Sequence, residues 1–323
     1  MGKVLRNLLL FIVLLAVLLF VAPMLIPSDA LKRVVEEQAS RATGLPVEVA
    51  EVSIRLLPSA QVVMAELQLG KTADQTPILH AASGSASLSL MPLLSGELQL
   101  NGIDFTALAI QIPHYSGSKE AVLRINRVTG QLHLNLNSAR LNGLKAELYG
   151  GEVNLDADVA LANNSSVSIT GRTKVHGVQI EALLADLGSR HQLSGRLSAE
   201  LDITASGASA MALQQGLQID GPVRTRSGKV MFNGITAGYD LIRFNLQTRG
   251  MNHHLNSIEA FSPLINATGD LLVTGNYRLS GRLKAAGMPG LSGEAVVGGT
   301  IDQPQLMPVA APAAASMGLT PAY

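Results

Sequence analysis

Asp156 and Asp158 stand two residues apart in "GEVNLDADVAL", so on an extended chain both carboxylates project from one face, as paired acid–base groups or a cation site would require. Asn154 falls on that same face, and a solvated strand surface accounts for all three residues without a ligand. His253 and His254 form the one local histidine cluster. Adjacent strand residues point to opposite faces, so the two make a poor shared metal site, and a surface turn is the expected setting. Asn163, Asn164 and Asn266 open N-x-S/T triplets, which are acceptors only in a glycosylating secretory pathway. HExxH, GxSxG, Walker A and GxGxxG stretches are all missing. With no cysteine, disulfides, thiolate zinc sites, a thiol nucleophile and cysteine acylation are excluded as well. The expectation is a non-enzymatic protein without a metal or cofactor.

The elements that carry these residues explain why. The chain has 323 residues, 47% of them hydrophobic, enough for a sizeable core in one or two domains. Basic and acidic residues balance at 24 each with no run of like charge, so the electrostatic footprint of a nucleic-acid or other polyanion binder is missing. Aromatic residues make up 3% and tryptophan is absent, which removes stacking platforms for sugars or single strands.

Period two dominates. In "DLLVTGNYRLSGRLKA" (270–285), Leu271, Val273, Tyr277, Leu279, Leu283 and Ala285 share one register, and Thr274, Asn276, Arg278, Ser280, Arg282 and Lys284 the other, which reads as a strand. The same alternation recurs at Leu132/Leu134/Leu136, Val153/Leu155/Ala157/Val159 and Leu197/Ala199/Leu201/Ile203, with a bulged strand over Val47–Leu56. Glycines 130, 171, 195, 221, 275 and 281 mark hairpin turns or kinked, curved strands. Ile180, Leu183, Leu184 and Leu187 predict one short helix stopped by Gly188, and 209–216 a weaker one. Neither can blanket a dozen or more strands. The pattern alone leaves two architectures open, a closed β-sandwich and a sheet whose apolar face is covered by something else.

The ends are different. Leu8 to Ile26 is apolar apart from Pro23, and its length of roughly 28 Å suits a bilayer core. Leu8, Phe11, Leu15, Leu19 and Ile26 are the expected membrane-anchor residues of a segment spanning 1–27. A cleavable signal peptide is the competing reading, with small residues at Ser28 and Ala30, but the run exceeds the usual signal core. Residues 28–44 predict an amphipathic helix packed over the end of the next sheet, with Leu31, Val34 and Val35 on one face and Gly44 as its stop. The β region then covers 45–302, and the Pro/Ala-rich residues 303–323 predict a disordered tail.

Taken in order, several stretches resemble the AsmA-like family. They are "PSDALKRVVEEQASRATGLPVEVAEVSIRLLPSAQVVMAELQLG" after the apolar segment, "LYGGEVNLDADVAL", "VQIEALLADLGSRHQLSGRLSAELDITASG" followed by "SGKVMFNGITAGYDL", and "GEAVVGGTIDQPQLMP". Typical members of that family are about twice as long or more, and type II secretion protein N is a shorter protein of similar layout.

The resemblance implies a mainly β protein: an N-terminal transmembrane helix, then a long, curved, groove-like antiparallel sheet with one or two short helices. It also implies a single-pass inner-membrane protein with its bulk in the periplasm, acting in outer-membrane biogenesis and carrying phospholipid along the groove. Leu132, Leu134, Leu136, Leu197, Leu201, Ile203, Val273, Tyr277, Leu279 and Leu283 would line it. The alternative is a non-enzymatic assembly component of a type II secretion system. The expected partners are the membrane, phospholipid, and an envelope or secretion-machinery protein or a second copy; nucleic acid is not among them.

Overall fold

The computed structural model describes residues 32–33, 36–37, 40, 46–55, 61–71, 77–88, 98–112, 121–135, 138–161, 166–187, 193–232, 235–263, 265–287, 292–301 and 303–309. The anchor residues Leu8, Phe11, Leu15, Leu19 and Ile26, and the tail beyond Val309, lie outside the described residues. No helix among the described residues is long and apolar enough to cross a membrane.

The alternating segments form one sheet of seventeen strands. They are β1 Val47–Glu48, β2 Glu51–Arg55, β3 Gln61–Leu69, β4 Leu79–Leu88, β5 Leu98–Ile112, β6 Ala121–Asn135, β7 Ser138–Leu148, β8 Gly151–Leu161 and β9 Val167–Gln179. After a helix, α1 Ile180–Asp186, comes β10 Arg196–Gly207, and after a second, α2 Ala210–Gln215, comes β11 Gln218–Phe232. Strands β12 Ile235–Arg249, β13 Asn252–Phe261, β14 Ile265–Val273, β15 Leu279–Gly287, β16 Gly293–Gly299 and β17 Pro304–Pro308 complete the sheet.

From β2 onward each strand pairs antiparallel with its successor, so the sheet is a meander. β1 and β2 lie along the same side of β3, interrupted at Val49 and Ala50, which is the bulge expected there. No second sheet lies against this one among the described residues, so the closed sandwich is not the fold. Sixteen strand positions at about 4.8 Å make the sheet roughly 70 Å long.

Every odd strand from β3 to β13 contains one residue at a φ between 50° and 68°: Glu66, Ala107, Gly143, Gly177, Ser227 and Ser257. The pairing register shifts at Gly143, Gly177 and Ser257, and a bulge of this kind bends the strand and increases local twist. Asp156 stabilises one of them, its carboxylate accepting the Gly143 N–H at 2.6 Å, and Asp270 accepts the Ser257 N–H at 2.8 Å. Gly221 and Gly269, at φ of 150° and 157°, sit where a Cβ would come within 2.0 Å of the Glu200 and Arg282 carbonyl oxygens. Only glycine lets the neighbouring backbones approach this closely.

The described residues of the N-terminal segment, 32–33, 36–37 and 40, are helical and dock on the first edge. The Glu36 carboxylate accepts the Val49 N–H and the Ser40 hydroxyl oxygen accepts the Val47 N–H, each at 2.9 Å. Backbone donors of an edge strand are thereby satisfied, and Val47, Val49 and Val52 are buried beneath.

Two expectations change. The stretch 270–285 is the end of β14, a turn and β15, with Tyr277 in the turn at φ 61° and 36% exposed. Leu271, Val273, Leu279 and Leu283 still share a face because Val273 lies opposite Leu279. Residues 304–308, expected in the tail, form β17 instead; its two prolines lack N–H donors and suit an outermost strand.

Candidate functional site

Directly opposed residues of an antiparallel pair project from the same face, so register shows what the sheet gathers. One row runs Leu88, Leu100, Leu132, Leu141, Ala157, Gly171, Ile203, Ile219, Thr248, His253, Val273, Leu279, each opposite the next. It crosses β4 to β15 and joins Leu132, Ile203, Val273 and Leu279, residues that sequence spacing alone could not connect. Leu134 lies opposite Leu98 in the neighbouring row, and Leu201 and Leu283 lie opposite Thr173 and Gly269. Leu132, Leu197, Leu201, Ile203, Val273, Leu279 and Leu283 are half-buried. Tyr277 stands at the rim, outside the strand register, and Leu136 lies outside the described residues.

Among the described residues, only part of this face is roofed by protein. Leu183 of α1 packs over a buried cluster of Ile125, Val128, Ala146, Leu148 and Val178. Tyr149, in the turn between β7 and β8, holds the helix there. Its hydroxyl donates to the Asp186 carboxylate at 2.9 Å and accepts the Arg124 N–H at 3.0 Å, while the Arg124 guanidinium pairs with Asp186. Burial raises the Tyr149 phenol above its ordinary pKa, the Arg124 hydrogen bond working against it. The sequence marks this place as the Tyr-Gly-Gly turn, but its partners Arg124 and Asp186 are far away in the chain.

Polar groups on the same face are satisfied internally. Thr248, 1% exposed, shares a hydrogen bond of 3.0 Å with His253 Nδ1. Tyr239 donates to the Ser194 carbonyl at 2.6 Å and lies 2.7 Å from the Thr225 hydroxyl, and burial pushes its phenol up as well.

The candidate chemistry on the other face is absorbed by structure. Asp158 pairs with Arg140 opposite it, Asp156 caps the β7 bulge, and the Asn154 side-chain amide donates to Glu152. The hydrogen bond to Asp158, then its charge, raises the Arg140 guanidinium above its ordinary value; Asp202 does the same to Arg172. His253 and His254 occupy β13 rather than a surface turn. No group of residues suited to hold a metal ion occurs among the described residues. Asn266 is exposed on β14, while Asn163 and Asn164 lie outside the described residues.

The model of the AsmA family matches residues 1–113 and 118–233. The chain belongs to the AsmA family. No curated protein and no solved structure matches it. The AsmA-family match takes in the docked helix, the bulged first edge, the Tyr149 turn and α1, and so includes the roofed part of the apolar face.

Proposed function

We propose that this AsmA-family protein is a non-enzymatic lipid handler of outer-membrane biogenesis. Residues 1–27 anchor it in the inner membrane, the sheet stands in the periplasm, and phospholipid acyl chains lie along a curved apolar trough. The observation that carries this reading is the apolar row from Leu88 to Leu279, over which no second layer of protein lies among the described residues except near α1 and where α2 packs against β10. The bulges at Gly143, Gly177 and Ser257 and the close approaches at Gly221 and Gly269 support curvature. AsmA membership is consistent with a role in outer-membrane biogenesis or lipid transport.

The energetics support it too. Sheltering an acyl chain of about 14 carbons at about 0.8 kcal/mol per methylene contributes on the order of 11 kcal/mol, enough to hold a lipid outside a bilayer. The test is native mass spectrometry of the full chain purified in detergent. Copurified phospholipid is expected; a protein that stays lipid-free and takes up no fluorescent phospholipid refutes the proposal.

A second reading, a docking component of a secretion or assembly machine, is favoured by β17. Among the described residues this strand pairs only with β16, and its Leu306 and Met307 are 46% and 52% exposed. An open apolar edge is a template for strand addition by another chain.

A further inference from the structure

The balanced total charge hides a local excess on the polar face. Lys174 of β9, Arg196 of β10, and Arg224 and Arg226 of β11 are all exposed on three adjacent strands. Arg196 lies directly opposite Arg226, and Ser198 opposite Arg224. Like charges directly opposed across an antiparallel pair are destabilising. Several other arginines of the sheet are matched with acids, as in Arg140 with Asp158, Arg172 with Asp202 and Arg243 with Glu259. Among the described residues, none of the four cations here takes part in an ion pair or side-chain hydrogen bond.

The same residues wall two adjoining cavities, about 520 and 560 Å³, which share His176, Arg196, Ser198 and Arg226. Glu200 and Glu152 also line them, and Glu152 is engaged by the Asn154 amide at 2.6 Å. Four cations against two carboxylates leave a net positive charge. Ser198 Oγ accepts the Gly177 N–H at 3.3 Å, which leaves the hydroxyl hydrogen as a further donor. Guanidinium groups converging on a concave surface suit the planar, multidentate recognition of phosphate oxygens.

We propose that the polar face over β9–β11 is a binding site for a phosphate-bearing anion, held by Arg196 and Arg226 with Arg224 and Lys174 beside them. The anion neutralises the opposed Arg196 and Arg226, whose other strand neighbours are Gln179 and Leu241, whereas Lys174 lies opposite Glu200. Its source is a phospholipid headgroup or a soluble phosphate. The site lies on the opposite face from the apolar row and stands whether or not that row carries lipid.

The test uses the full chain in a neutral maltoside detergent at low salt. Inorganic pyrophosphate, soluble dihexanoyl phosphatidic acid and dihexanoyl phosphatidylcholine are titrated by calorimetry, and the melting temperature is followed in parallel. Wild type is expected to bind pyrophosphate or the phosphatidic acid and not the choline lipid; binding of the phosphatidic acid alone assigns a headgroup, and of pyrophosphate a soluble phosphate. Arg196→Gln/Arg226→Gln is expected to bind at least tenfold more weakly and, without ligand, to melt higher because the repulsion is gone. The single Arg196→Gln variant should show the same trend, and Arg140→Gln/Arg172→Gln, which removes paired arginines, should bind within twofold of wild type. The proposal is overturned if wild type binds none of the anions, if the Arg196/Arg226 variant binds as tightly, or if the paired-arginine variant loses as much.

Discussion

Ile203→Asp separates a lipid-bearing face from a bare one. Ile203 lies between Gly171 on β9 and Ile219 on β11, so one neighbour offers no side chain and the isoleucine is only half-buried. Full burial of an isoleucine is worth about 1.5–3 kcal/mol, so the substitution costs the fold roughly 1–1.5 kcal/mol, within the margin of a typical domain. Its effect on an overlying acyl chain is larger. A carboxyl group with an ordinary pKa near 3.9 costs about 4 kcal/mol to protonate at pH 7, which sets the upper bound, about a thousandfold in occupancy. A chain that moves aside and forfeits one or two methylene contacts loses about 1–1.5 kcal/mol, about tenfold. Phospholipid per protein, read by native mass spectrometry, is therefore expected to fall between tenfold and a thousandfold. Thr204→Asp, the next residue and exposed on the polar face, is the control and should leave lipid unchanged. Equal lipid in the two variants, both folded, would refute the reasoning.

Gly221→Ala should cost about 3 kcal/mol or more in urea unfolding, because its φ and the 2.0 Å approach to Glu200 leave no room; Gly102→Ala, whose Cβ would meet only Ser87 Oγ at 3.8 Å, should be nearly neutral. Asp186→Asn removes the charged partner of Arg124 and should cost about 1–2 kcal/mol, with faster amide exchange in α1; unchanged exchange there would mean the clasp does not hold the helix. Tyr149 and Tyr239 have pKa values raised by burial, so their contribution to stability is fully present below about pH 10 and is lost as pH rises through the folded values. The unfolding midpoint should fall above about pH 10 in wild type and fall less in Tyr149→Phe/Tyr239→Phe; parallel curves would contradict the assignment.

The faces of this sheet were legible because period two is a local property: Leu197, Leu201 and Ile203 announce their common side within seven residues. Register was not. The opposition of Arg196 to Arg226 depends on pairing between β10 and β11 and has no signature within either strand. The bulge at Ser257 was equally hidden, as were the positive φ angles at Glu66, Ala107 and Ser227, since none of these residues advertises one. Tyr277 misled for a related reason, because the turn after Val273 preserves parity and leaves the alternation of 270–285 unbroken through a hairpin. At β17 the prolines that suggest a tail are compatible with a strand only because nothing pairs beyond it among the described residues. Both helices were visible, one from its three-four spacing and the other from Ser209, whose hydroxyl accepts the Ala212 N–H at 3.2 Å.

Among the described residues the two margins of the sheet are unequal, one clamped by Glu36 and Ser40 and the other without a docked segment, and the meander links them in series. Fraying therefore starts at Pro304–Pro308 and travels inward one strand at a time, like a zip with a single slider. Loss of two consecutive strands would leave a shorter ribbon with the same polarity and the same oily side, whereas loss of one would reverse the direction of everything beyond it. Length in such a molecule is adjusted in hairpins, and a hairpin spans roughly 10 Å.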